Sequence, residues 1–466
     1  MPVLAAFALP HPPLILPRIG HGREHEISST VEAYHEVARR VAELEPETIV
    51  LSSPHSPMFA DYLHIAPGSG ARGTFAQFGD ESDGSNVRYD EEFVDELSRR
   101  ADRDGLRAGT FGGPAQDLDW GVLVPLHFIE ESYRDFRLVR ISLSGLSPLD
   151  HYHLGQLVLA SADALSRRVV MIASGDLSHK LSSEGPYGFA EEGSVFDALV
   201  CETFQSGELD RLLTIDPALA ERAAECGLRS FQIMAGTLDR TPITSELLCY
   251  EGPFGVGYGI GAFTPIDAPG TDEARAYGSR YEQSHEQEMR TLRENEDPLV
   301  RLARTSLEHY VHERTALILP DDTPAELLGR RSGAFVSIKK HGQLRGCIGT
   351  IEPVHADLAY EIIDNAVSAG CRDPRFPPVS IDELDELVYD VDVMGTPEPV
   401  TSIDELDPSR FGVIVSGSDG RRGLLLPDLD GVDSVEDQVS IAARKGGIDP
   451  SEPGVRLERF SVERHA

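Results

Sequence analysis

Val169-Val170-Met171-Ile172-Ala173-Ser174-Gly175-Asp176-Leu177-Ser178-His179 decides how the first half of this chain folds. Its β-branched, apolar start reads as a buried strand. The run stops at Gly175, and Asp176 and His179 follow just past its end. Open α/β sheets place their chemistry outside the carboxyl ends of their strands. Two more apolar runs deliver a histidine in the same way. His11 follows Val3-Leu4-Ala5-Ala6-Phe7-Ala8-Leu9-Pro10, and His55 follows Thr48-Ile49-Val50-Leu51-Ser52-Ser53-Pro54. Three strands that each bring a His to one sheet edge predict a metal or general-base site there.

Outward from these runs, helical periodicity covers 24–44, 91–104, 149–164 and 194–206. Strand patterns cover 138–144, 243–251 and 256–263. Such alternation predicts an α/β domain over 1–267, with a mixed, mostly parallel sheet and helices on both faces. Residues 268–294 are rich in Glu, Arg, Gln and Ser and read as a polar linker or a solvated helix. Helical periodicity returns at 299–311. Short strands (333–339, 387–394, 412–416, 423–426) and helices (356–369, 434–445) then predict a smaller α+β domain over 295–466.

The 466 residues carry 42 basic and 78 acidic side chains, a net charge of −36. A field of that sign repels nucleic acid and anionic membrane surfaces, so neither is expected as a partner. No apolar run approaches the ~18 residues of a membrane span. The N-terminal stretch lacks a basic start and is broken by Pro10, Pro12 and Pro13, so no signal peptide is expected. Cys201, Cys226, Cys249, Cys347 and Cys371 are odd in number and widely spaced, which fits a reducing cytoplasm. The glycine-rich 255–261 precedes a strand rather than a helix and is no nucleotide loop.

Ferrous iron in oxygen chemistry needs two neutral imidazoles and a carboxylate on one face. His11 and His55 supply the imidazoles. In Glu225-Cys226-Gly227-Leu228, Glu225 is the expected carboxylate. Cys226 is the softer alternative, which would turn the preference toward zinc or copper. His179 has the pKa class of a general base, and Asp176, three residues earlier, is placed to orient it. His21, His25, His35, His64, His127, His151 and His153 read as turn or core residues. In the second domain, Gln343-Leu344-Arg345-Gly346-Cys347-Ile348-Gly349-Thr350 sets a Cys between glycines after an Arg. That pattern suits a thiolate held near a cation, or equally a small Cys in a Gly-kinked strand.

His11-Pro12-Pro13-Leu14-Ile15, Ser53-Pro54-His55, the 174–179 segment and Glu225-Cys226-Gly227 resemble the class III (LigB-type) extradiol ring-cleavage dioxygenases and the related Memo family, over about 1–265. The resemblance implies Fe(II) held by His11, His55 and a third ligand at 225–226, with His179 as the acid–base residue. The implied reaction inserts O2 into a catechol-type or other aromatic group beside the diol. The dioxygenases carry Glu near the third-ligand position, whereas Memo proteins carry Cys at the position of Cys226. Trp120 stands where the dioxygenases have a second active-site His, and can stack on an aromatic ligand in the substrate pocket.

Leu344-Arg345-Gly346-Cys347-Ile348-Gly349, Asn365-Ala366-Val367-Ser368-Ala369 and Asp373-Pro374-Arg375-Phe376-Pro377-Pro378 resemble the AMMECR-type domain. Arg345, Cys347, Asp373 and Arg375 are its candidate site residues. The fusion resembles AmmeMemoRadiSam system proteins, which implies a radical SAM protein as partner. The leading expectation is thus an iron-dependent, dioxygenase-like oxidoreductase acting on a small aromatic substrate or a protein-bound group. Its rival is a metal- or redox-binding adaptor without ring cleavage, and zinc-dependent hydrolysis is a third option.

Overall fold

A computed structural model describes residues 2–113, 117–266, 272–319, 323, 325–429, 431–432, 434–450 and 453–466. The chain divides into two compact units, Met1–His285 and Glu286–Ala466. The expected boundary at 267–268 lies outside the described residues.

Six strands form the main sheet of the first unit: β1 (Val3–Leu9), β2 (Thr48–Ser53), β3 (Arg137–Ser142), β4 (Val169–Ser174), β5 (Ile243–Glu251) and β6 (Tyr258–Pro265). Their order is β3-β2-β4-β1-β6-β5. The first four are mutually parallel, and β6 and β5 close the other edge as an antiparallel pair. β2, β4 and β1 are neighbours, so their carboxyl ends, and the residues that follow them, come out side by side.

Alternate residues of each strand enter different cores, as the two-residue period of a strand requires. Ala6, Ala8, Val50, Val139, Met171 and Ala173 pack with helices α2 (Glu91–Arg103), α4 (Pro148–Ala164), α5 (Glu191–Ser206) and α6 (Leu228–Thr237). Ala5, Phe7, Leu9, Ile49, Leu51, Val170 and Ile172 pack with α1 (Ser28–Leu44) and α3 (Trp120–Ser132). With both faces covered, the inner strands are apolar almost throughout. No strand pattern was expected over Gly70–Phe75 and Asp80–Arg88, which pair as a hairpin, nor a helix at α3. Much of the expected polar linker is helix α7 (Tyr277–Asn295), and the division between the units falls within it.

The second unit has α8 (Pro298–Glu313), β7 (Ala334–Lys340), β8 (Gln343–Gly349), α9 (Leu358–Cys371) and β9 (Leu387–Met394). It continues with β10 (Gly412–Ser416), β11 (Arg422–Leu425), α10 (Val435–Lys445), β12 (Arg456–Phe460) and β13 (Val462–His465). One antiparallel sheet runs β8-β7-β9-β13, and β12, β10 and β11 belong to another. No helix among the described residues is long and apolar enough to cross a membrane.

The turn from β3 into α4 is locked by His151, which is fully buried. Its Nδ1–H donates to the Ser147 carbonyl (2.8 Å), and its Nε2 accepts from the Ser144 N–H (3.3 Å). Burial pushes its pKa down to about 4. Below pH 6.5 the unfolded chain therefore takes up a proton that the folded chain refuses. The stability held by this group is full above pH 6.5 and drains away as pH falls toward 4. Its size is on the order of 3 kcal/mol. Thermal melts from pH 7 to pH 4 should show a shallower acid loss in His151→Gln than in the natural chain. Parallel acid limbs would contradict the assignment.

Candidate metal centre

His11 lies two residues beyond β1 and is 1% exposed. Its orientation traces back to a proline. Pro125 sits inside α3 and has no N–H to offer the carbonyl of Gly121, four residues earlier. The Ser174 hydroxyl, at the end of β4, donates to that carbonyl instead (2.5 Å). With its proton committed there, Ser174 Oγ accepts from His11 Nδ1–H (2.9 Å). The relay fixes the His11 tautomer and leaves the Nε2 lone pair directed outward.

That lone pair meets His55. The two Nε2 atoms are 2.9 Å apart, with the rings edge to face at 4.7 Å. His55 is positioned by Asp119, the N-cap of α3. Its carboxylate accepts from Ser53 Oγ and Ser56 Oγ (2.6 Å each) on either side of His55, and from the Val122 N–H. Burial lowers both imidazoles, and the neighbouring His11 lowers His55 further, to about 4. Two neutral nitrogen donors therefore face one another.

The third group enters from another element. The short helix Pro217–Ala223 ends at Ala224 in the left-handed region (φ 53°), which turns the chain back over the strand ends. Gly175 and Gly227 touch backbone to backbone there: a Cβ on Gly175 would lie 2.1 Å from Gly227 Cα. This places Cys226 Sγ 3.7 Å from His11 Nε2, accepting from the Asp176 N–H (3.2 Å). His11, His55 and Cys226 bring their donor atoms within 4.8 Å of one another, as do Asp176, His179 and Cys226. Burial first, and then the Asp176 and Glu225 charges, push the Cys226 thiol well up. Thiolate at this position calls for a cation beside it.

Glu225 belongs to neither donor group. Its carboxylate accepts from the Leu228 N–H (2.6 Å) and serves the first turn of α6. Burial raises its pKa. Asp176 accepts from the His11 N–H (2.8 Å) and lies 3.9 Å from His179 Nε2. Burial alone would raise its carboxyl, but His11 and His179 draw it net below the usual value. His179 stacks on Tyr187 (5.0 Å), and Trp120 stacks on His55 (3.8 Å, 25°).

The sequence reading missed Ser174 as a relay, and also Asp119 and Asp197. Asp197, from α5, accepts from the Ser178 N–H and the Tyr250 hydroxyl (2.7 Å each), so it holds the segment that carries His179. Its burial raises its pKa to about 6. Asp119 did leave a helix-start signal just ahead of the apolar 122–129.

In the second unit, three of the four candidate residues meet. Asp373 Oδ2 accepts from the Cys347 N–H (3.0 Å). Arg375 forks onto Asp373 (2.6 and 3.0 Å) and donates to the Cys347 carbonyl (3.2 Å). β8 is an edge strand, and this ion pair covers the outward backbone groups of Cys347 where a neighbouring strand would lie. Arg375 holds the Asp373 carboxyl far below its usual range. Arg345 turns elsewhere, onto Glu383 (2.9 and 3.0 Å).

The family described as the catalytic LigB subunit of aromatic ring-opening dioxygenase matches residues 5–261, and AMMECR1 matches 300–465. A protein of Clostridium acetobutylicum is 37% identical over 470 residues, covering 98% of this chain and 98% of its own. One of Thermotoga maritima is 51% identical over 171 residues, covering 36% of this chain and 98% of its own. A solved structure of an uncharacterized Pyrococcus horikoshii protein covers 36% of this chain and 88% of its own, at 32% identity and a TM-score of 0.34.

These placements separate the side chains by experiment. Cys226→Ala should lose most bound metal, whereas Glu225→Gln should keep it; the reverse pattern would restore Glu225 as the ligand. Ser174→Ala should weaken metal binding about 10–100-fold by freeing the His11 tautomer. Asp373→Ala should lower the melting temperature of the second unit and speed thiol labelling of Cys347. Unchanged labelling would argue against the cover.

Proposed function

This chain belongs to the family of the catalytic LigB subunit of aromatic ring-opening dioxygenases, with an AMMECR1-family domain fused behind it, and from that premise we propose that its first unit is a metal-dependent oxidoreductase acting on a phenolic or other aromatic group, with Fe(II) the metal its family implies and zinc or copper the alternative that a Cys226 donor favours. One observation carries the reading: His11, His55 and Cys226 converge at the strand ends while the Asp176–His179 pair stands beside them.

The donor set fits a transition ion, since two imidazoles are kept neutral and a thiol needs a cation to ionise. When bound, such an ion supplies Lewis acidity and a place for O2 and a diol to meet. The side chains do the rest. His179, half-buried and paired with Asp176, takes the proton from an aromatic hydroxyl and returns it. Asp176 stabilises the imidazolium that forms. Trp120 and Tyr187 offer flat apolar faces beside His55 and His179, suited to stacking on an aromatic ring.

A second reading is favoured by Trp120, which lies over His55 and cannot shuttle a proton. There the first unit holds metal or a protein-bound group as an adaptor, and the second docks a radical SAM protein.

Anaerobic loading with Fe(II), elemental analysis and O2 uptake over a panel of catechols distinguish the two. Iron that His55→Ala removes, together with diol-dependent O2 consumption, is expected. His179→Ala should keep that iron and lose at least 100-fold in turnover. Iron without O2 uptake on any diol would overturn the oxidoreductase and favour the adaptor.

A further inference from the structure

Beyond the metal donors, the sheet edge continues into β6. That strand runs antiparallel to β1, so its first residue, Tyr258, comes to the carboxyl end of β1, where His11 follows. The chain just ahead of Tyr258 lies along the segment that carries His179. The Gly257 N–H donates to the Ser178 carbonyl (2.8 Å). The Leu177 and Leu181 N–H groups donate to the carbonyls of Gly257 (2.9 Å) and Gly255 (3.1 Å). Gly255, in the left-handed region (φ 79°), meets Gly185 backbone to backbone: a Cβ on Gly255 would lie 2.9 Å from Gly185 Cα. Loops 180–190 and 252–257 therefore form one wall of the strand-end site. It carries Phe254 and also Tyr187, which stacks on His179.

Two polar groups at this wall have donors to spare. Tyr258 is 3% exposed, and its ring belongs to the apolar cluster of Phe7 and Leu9. Its hydroxyl has no hydrogen-bond partner among the described residues. Burial pushes its pKa far up; the Asp176 charge adds to that and the Arg23 guanidinium opposes it. The hydroxyl thus feels both a carboxylate at the strand ends and a cation on the single-turn helix Arg23–Ile27. Arg23 lies 4.4 Å over the Phe254 ring, and Glu26, its ion-pair partner, is 4.0 Å away, too far for a hydrogen bond. A buried hydroxyl without a partner is costly, and a ligand that brings an acceptor recovers that cost. The planar fork of an arginine matches the two oxygens of a carboxylate.

We propose that Arg23 and Tyr258 bind a carboxylate on the aromatic substrate and so select aromatic acids, an inference that rests on the oxidoreductase reading above. Arg23 forks onto the two oxygens, and the Tyr258 O–H donates to one of them. One guanidinium with the Asp176 carboxylate in its neighbourhood balances a monoanion rather than a dianionic phosphate. With a net charge of −36 the chain repels anions at long range, so the selection is made by these two contacts at short range.

The test reads binding separately from turnover. The full chain, stripped of metal, is titrated by calorimetry with para-hydroxybenzoate, para-hydroxyphenylacetate and para-hydroxyphenylpropanoate, each beside its neutral amide. At least one acid should bind about 10-fold more tightly than its amide. Arg23→Gln should abolish that preference, and Tyr258→Phe should cut it about 3–10-fold. Arg18→Gln removes a positive charge from the same stretch of chain and should leave the preference unchanged. Arg23 is exposed and Tyr258→Phe removes only an unpartnered hydroxyl, so both variants should fold; melting curves check this. Acids that bind no better than their amides, or a preference that survives both variants, would overturn the proposal. O2 uptake on plain catechol without any carboxylate preference would remove the subsite and leave the oxidoreductase standing. Carboxylate-dependent binding lost in Arg23→Gln, without O2 uptake on any diol, would do the reverse.

Discussion

The strand-end site rests on one hydroxyl. Ser174 sits in the middle of a chain of donors that begins with a missing one, the absent N–H of Pro125. The carbonyl of Gly121 accepts a hydrogen bond from the Ser174 hydroxyl, and Ser174 Oγ in turn accepts one from His11 Nδ1–H. A helix on one face of the sheet thereby dictates which nitrogen of a residue beyond another strand faces outward. The arrangement works only because β4 lies between β2 and β1, so that its last residue reaches both neighbours. Burial then does the electrostatic work, since it costs more to charge His11 or His55 here than in water.

Much of this was legible in the sequence, for a physical reason. Apolar runs such as 169–174 announce themselves locally, and the residues just beyond them inherit a common edge once the strands are parallel. His11, His55, Asp176 and His179 could be picked out because their meaning lies in their position relative to a strand end. Glu225 and Cys226 could not be separated in that way. They are adjacent, and which of them turns inward depends on the left-handed residue Ala224 and on the contact of Gly227 with Gly175, neither of which has periodicity. Ser174 and Asp197 escaped for a related reason. Their partners, Gly121 and Tyr250, are 53 residues distant in sequence in both cases.

The second unit shows how a conspicuous motif can have a quiet physical role. Cys347 and the Asp373–Arg375 pair were singled out as candidates for chemistry. In the fold, the pair closes the hydrogen bonds of an edge strand at Cys347, and Arg345 is occupied with Glu383. The thiol itself accepts from Ser337 Oγ (3.2 Å) across the ladder. Histidines show the opposite case. His35 and His127 have no pattern along the chain and meet a common carboxylate, Glu131, only when α1 and α3 are laid side by side. Long-range juxtaposition, rather than local spacing, is what the sequence conceals.

The glycine contact between β4 and the start of α6 bears on how the centre responds to heat. Where side chains separate two elements, their spacing follows rotamers and drifts as the interior expands. Gly175 and Gly227 leave no such compliant layer, and the van der Waals contact of two backbones sets the gap. The Cys226 segment therefore rides with the end of β4 as a single rigid body. Warming should leave the donor spacing almost constant until the sheet itself gives way, so the centre would be lost in one cooperative step rather than by gradual loosening.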